Sequence, residues 1–281
     1  MKKNCLLCFL LFFSCHSALA GESLDSLLNV LDKTIKEADT YVQIKENKLH
    51  ELKKEARKTP PFSVERYNLN NDIYLEYKAY SSDSALHYLN ENMLLARQLN
   101  DKERELKIQL ELSYLLSSIG MYMEAADILN SIDRQTLPSS LLGHYYTCYE
   151  HVYFEAGAAQ PRYKMFASRY VKLSHAYRDS MQITLDPSSA TYLWLRETQL
   201  REAGKYDEAL EFSDRRLAES SFGTPQYALV AYQRFRLFES MGKKDEHLYY
   251  LVLSAISDVR SAIKEQSSLM VLAQELNSQG D

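Results

Sequence analysis

Leu200-Arg201-Glu202-Ala203-Gly204-Lys205-Tyr206-Asp207-Glu208-Ala209-Leu210 is the stretch on which the fold turns. A run of helix-forming residues stops at Gly204, and an aromatic followed by Ala209 opens a second run. Glycine takes the left-handed conformation that ends a helix without steric cost, so the stretch reads as two helices joined by a tight turn. Related forms recur at 115–126 around Gly120, at 153–159 around Gly157 and at 238–244 around Gly242. A fifth, degenerate copy without glycine occupies 77–86. The four glycines are separated by 37, 47 and 38 residues. A period near 38–40 with two helices per unit defines an all-α solenoid of helical hairpins.

The Gly204 copy resembles the turn between the two helices of a tetratricopeptide repeat. In that motif the small residue lets the helices approach, the aromatic fills the hairpin, and an alanine sits at the close crossing. Ala85, Ala125 and Ala209 fall at the crossing position, whereas the Gly157 and Gly242 units place Arg162 and His247 there and are expected to cross more openly. Pro138, Pro161, Pro187 and Pro225 all fall at expected helix starts, where proline is tolerated. The resulting array covers 63–281, with helices expected at 63–79, 82–98, 102–119, 121–133, 139–156, 161–181, 188–203, 205–220, 225–241 and 244–262. Residues 267–279 read as the first helix of a further unit, giving about five and a half repeats. The segment is expected to expose Leu269, Leu272 and Leu276 and to mark the chain as a fragment of a longer one.

Composition agrees with long helices and short turns. Of 281 residues only 8 are Gly and 6 are Pro, too few for the turns of an all-β or α/β fold. With 46% hydrophobic and 25% charged residues, the chain is neither disordered nor a multi-span membrane protein. Its net charge of −5 argues against a nucleic-acid-binding surface.

Residues 1–20 read as a signal peptide: Lys2 and Lys3, an apolar run over 6–13, and Ser17-Ala18-Leu19-Ala20 before Gly21. Lipoprotein processing at Cys15 is the competing reading. Cleavage before Gly21 leaves Cys148 as the sole cysteine, so no internal disulfide can form. From Ser23 to Lys58 there is no Gly or Pro, and Leu28, Leu31, Ile35, Ala38, Val42, Lys45, Leu49, Leu52 and Ala56 alternate at spacings of three and four. One long helix over 21–58 is expected, either laid on the array as a cap or paired in a homodimeric coiled coil that would serve as an envelope scaffold. Pro60 and Pro61 end it.

The order of features also resembles a family of Bacteroidetes transcriptional regulators. Its members have a signal peptide, an opening like Ser23 to Asp32, a Lys/Glu-rich helix and a divergent tetratricopeptide array. They continue with a membrane helix, a coiled segment and a helix-turn-helix, none of which is legible here. The resemblance implies a sensor half on the periplasmic side of the inner membrane.

No G-x-S-x-G, H-E-x-x-H, phosphate-binding glycine loop or C-x-x-C occurs in the mature chain, and no cofactor is expected. His144, Cys148 and His151 share a helical face at a spacing that could hold zinc. Lacking a fourth ligand, they read instead as core packing with histidines at its edge, and no metal site is assigned. By the tetratricopeptide resemblance, the first helices line a concave face with Tyr67, Tyr74, Tyr77, Tyr114, His144, His151, Trp194, Arg201, Tyr232 and Arg236. Aromatic and guanidinium side chains bury well and keep a polar handle. The expected role is non-catalytic binding of a peptide, protein or glycan.

Overall fold

The computed structural model describes residues 23–159, 162–264 and 267–279. The expected signal peptide, Cys15, Pro161 and Gly280 lie outside these. Thirteen helices and no strand are found among the described residues. Two precede the array, α1 (Leu24–Lys36) and α2 (Ala38–Lys58). Five hairpins follow: α3 (Val64–Tyr77) with α4 (Ser82–Gln98), α5 (Lys102–Ser118) with α6 (Tyr122–Ser131), α7 (Ser139–Ala158) with α8 (Lys164–Thr184), α9 (Ala190–Glu202) with α10 (Tyr206–Ala218), and α11 (Pro225–Ser240) with α12 (Lys244–Arg260). The last helix is α13 (Ser267–Gln279). None is long and apolar enough to cross a membrane.

The turns follow from the residues that make them. Gly204 has φ 72°, and the next amide, Lys205 N–H, donates back to Leu200 O at 2.9 Å, closing a left-handed helix cap. Gly120 and Gly242 do the same, their followers Met121 and Lys243 donating to Leu116 O and Phe238 O. Four of the five first helices start on side-chain caps, α7 starting instead after Pro138. Ser63, Asp101, Ser189 and Thr224 accept from the amides of Arg66, Arg104, Tyr192 and Tyr227. Ala85, Ala125 and Ala209 are fully buried at the close crossings.

Gly157 departs from the expected pattern. It is a buried residue inside α7, and a Cβ added there would meet the Tyr170 Cβ at 3.4 Å. It serves close approach of α7 and α8, not a turn. Arg162 lies exposed in the connection and does not occupy the crossing. His247 does pack inside the last hairpin, edge-on to Phe235 at 5.6 Å.

The N-terminal segment is two helices, broken at Glu37, whose ψ of 8° leaves the helical range. The break follows from two separate destinations. Leu27 and Leu31 of α1 are buried with Phe235, Leu248 and Leu251 at the far end of the array. Leu49 and Ala56 of α2 are buried with Ile73, Tyr74 and Tyr77 at its beginning. A straight rod cannot lie on both surfaces. Together the two helices bridge the ends of the array, and Lys264, after α12, sits 4.8 Å from the Tyr80 ring centroid in the first hairpin turn.

The coiled-coil seam is thereby occupied within one chain. Lys45, the polar intruder in the heptads, pairs with Glu76 of α3 at 2.7 Å, while Ile35 and Val42 face solvent. The expected exposure of the last helix is also corrected. Leu272 is buried and Leu269 and Leu276 pack beside it, because α13 lies against α12 and joins a core that Leu27 and Leu31 of α1 also enter.

Candidate ligand groove

Helices α5, α7, α9 and α11, all first helices of their hairpins, share one face of the array. On it opens a groove of about 490 Å³. Its walls include Tyr114 of α5, His144, Thr147 and His151 of α7, Thr191 and Trp194 of α9, and Leu229 and Gln233 of α11. Lys78 closes one end and Arg216 contributes from α10. Four of the ten residues expected on the concave face, Tyr114, His144, His151 and Trp194, therefore meet in one place.

The floor is a stack. Tyr114 and His151 lie with ring centroids 4.0 Å apart and planes within 9°, and the Lys78 Nζ stands 4.5 Å from the Tyr114 ring centroid. The Ser118 hydroxyl is 2.9 Å from His151 Nε2 and fixes the ring. Burial, with Lys78 nearby, pushes the His151 pKa down to about 4. Burial likewise lowers that of His144. Both imidazoles are neutral near pH 7 and can each donate one hydrogen bond and accept one.

Glu111 lies beside this floor. Burial opposes its charge, but Lys78, at 3.3 Å, and the Tyr74 hydroxyl, donating at 2.7 Å, outweigh that and hold its carboxyl below the usual range. Glu150, almost fully buried, accepts from the Arg178 Nε at 2.8 Å and the Ser174 hydroxyl at 2.9 Å. Arg178 in turn donates to both Glu202 oxygens, and its guanidinium lies 6.0 Å from the Trp194 ring centroid. Arg216 is held by Glu197 at 2.5 Å. The groove thus combines aromatic surfaces with neutral hydrogen-bonding groups, and these neighbouring charges are already paired.

The remaining expected residues do other work. Tyr67, Tyr74 and Tyr77 are core residues, since α2 lies against the first hairpin; the Tyr77 hydroxyl accepts from Lys53 at 2.6 Å. Tyr232 packs half-buried against Phe235. Arg236 is exposed and pairs with Glu239. Arg201, half-buried at the end of α9, is not among the groove residues. On α11 the groove residues are Leu229 and Gln233; Leu229 lies seven residues before Arg236, on nearly the same side of the helix but about two turns nearer its start. Thr147, Glu150, Phe154 and Glu155 also line the groove, and their positions carry no motif. Cys148 is turned away, its buried thiol donating to Leu110 O at 3.4 Å, so it cannot complete a zinc set with the two histidines. No metal-holding cluster occurs among the described residues.

The depressed His151 pKa makes stability pH-dependent. Above pH 6.5 the imidazole is neutral in both states and has no effect. Below it the unfolded chain takes up a proton that the fold refuses, so stability should fall by about 3 kcal/mol between pH 6.5 and pH 4, and level off below pH 4, where both states become protonated. Urea titrations between pH 7 and pH 4 check this, and His151→Gln should flatten the decline.

Fold and groove together define a tetratricopeptide-type helical-repeat protein with a lined concave face. The SusR N-terminal TPR domain family matches residues 35–281, and the chain belongs to that family. The resemblance to Bacteroidetes regulators carrying such arrays leads to the same place. No curated protein and no solved structure matches the chain. Domains of this kind generally mediate protein–protein interaction and are as a class non-catalytic.

Proposed function

We propose that the chain is the non-catalytic sensing half of a membrane-bound transcriptional regulator, exported to the periplasmic side of the inner membrane. It binds a peptide, protein segment or glycan in the groove between the first helices. One observation carries this reading: Tyr114, His144, His151 and Trp194, contributed by three separate helices, converge on a single cavity of about 490 Å³. Aromatic planes there offer stacking area, and neutral imidazole, threonine and glutamine groups offer hydrogen bonds, beside the half-buried carboxyl of Glu155. Family membership and the signal-like residues 1–20 support the regulatory and export parts of the reading.

Trp194 is the chain's one tryptophan, so its fluorescence reports groove occupancy directly. Titration with defined peptides and oligosaccharides should quench or shift its emission for one class and not the other. Calorimetry on Trp194→Ala should then show about 30-fold weaker binding, the effect of removing a central aromatic anchor. Unchanged affinity in that variant would remove the groove from the reading. N-terminal sequencing of the exported protein should begin at Gly21.

A further inference from the structure

A second exposed apolar surface lies on Tyr163 and the first turns of α8, next to the α5–α6 hairpin. Between Glu155 and Asp179 the chain contains no carboxylate, yet it carries Arg162, Lys164, Arg169, Lys172 and Arg178. Arg178 is buried and paired, but the other four are exposed and make no ion pair among the described residues. Such a cluster stands out in a protein of net charge −5.

Large apolar side chains alternate with these cations. Tyr163 is 63% exposed, Met165 74%, Phe166 48% and Val171 45%. From the neighbouring hairpin Met123 adds a side chain that is 78% exposed. A cleft of about 360 Å³ runs between Tyr122 and Met123 on one side and Tyr163, Phe166 and Tyr170 on the other. Exposed Glu124 and half-buried Glu155 border this surface. Exposed apolar side chains gathered about a cleft mark a surface that is covered in use.

We propose that this patch docks on an anionic lipid surface. Tyrosine and phenylalanine rings suit the boundary between headgroups and acyl chains, and lysine and arginine stems can lie along apolar surface with their charges in the headgroup layer. Cations distributed among the apolar side chains, instead of gathered at a rim, match a bilayer better than the apolar core and polar rim of a protein interface. A second copy of this chain is a poor occupant. A two-fold contact would set the same four cations against each other. The proposal is independent of what the groove binds.

Met165→Trp places a reporter on the patch without disturbing the core, with the parent chain as the control for Trp194. Mixed with vesicles of equal parts phosphatidylcholine and phosphatidylglycerol, its emission should shift to the blue and be quenched by brominated lipid. Adding Lys164→Gln, Arg169→Gln and Lys172→Gln should weaken partitioning by about fivefold per cation, about a hundredfold together, with unchanged circular dichroism. High salt should act in the same direction. Absence of quenching on phosphatidylglycerol vesicles would overturn the proposal, as would equal binding to pure phosphatidylcholine. A blue shift without vesicles, accompanied by a dimer in sedimentation, would assign the surface to a second copy instead.

Discussion

Arg178→Leu should destabilise the protein by about 3–5 kcal/mol, the cost of stranding a buried carboxylate. Arg178 rises from α8 with its side chain 5% exposed and joins Glu150 of α7 to Glu202 of α9. It is therefore a tie across three consecutive helices, made where adjacent repeats meet. Without it Glu150, 4% exposed, keeps only the Ser174 hydroxyl and must either stay charged in an apolar setting or take up a proton. Arg178→Lys should recover only part of the loss, because an ammonium lacks the fork that reaches both partners. The double variant Arg178→Leu, Glu150→Leu should recover most of it, since an apolar pair of similar volume has no charge to strand. Urea unfolding of the three variants checks the order. If Arg178→Leu unfolds within about 1 kcal/mol of the parent, the pair is not the tie between these repeats. Because the guanidinium lies beside Trp194, the single variant should also disturb ligand binding in the groove.

How much of this was legible from the residues varies along the chain. The hairpins were, because each rests on local chemistry. Gly120, Gly204 and Gly242 end helices, and Ala85, Ala125 and Ala209 mark crossings. The expected helices at 82–98, 225–241 and 244–262 differ from the observed α4, α11 and α12 by at most two residues at either end. The third hairpin misled for a local reason as well. Its glycine serves packing against Tyr170, so the spacing of 47 residues measured two different roles.

The groove was half legible. Tyr114, His144, His151 and Trp194 followed from the rule that first helices line the concave side. Tyr67, Tyr74 and Tyr77 obey the same rule and are nonetheless buried, because α2 covers the first hairpin with Leu49 and Ala56. That covering is a contact between distant segments, and periodicity along one helix is blind to what lies on its face. The same holds for α1 against α12. A seam of leucines shows that a helix will be covered but not by what.

Replacing Leu27 and Leu31 together by alanine should release α1 from the array. Each is nearly fully buried, 2% and 5% exposed, against Phe235, Leu248 and Leu251. Truncation of a buried leucine costs about 2–5 kcal/mol, and because the two share one face the losses will not simply add; about 4 kcal/mol is expected for the pair. The control is Ile35→Ala, 45% exposed, which should change stability by less than about 1 kcal/mol. The thermal transition should fall, and trypsin should cut faster at Lys33 and Lys36, whose helix would no longer be held. The same experiment separates the intramolecular strap from the coiled-coil dimer. A strap packed on its own α12 gives a parent melting temperature independent of protein concentration, whereas a seam shared between two chains gives one that rises with it. Should the double variant melt with the parent, α1 would not hold the ends of the array together. The N-terminal segment would then be held at the first hairpin alone, through Leu49, Ala56 and the Lys45–Glu76 pair.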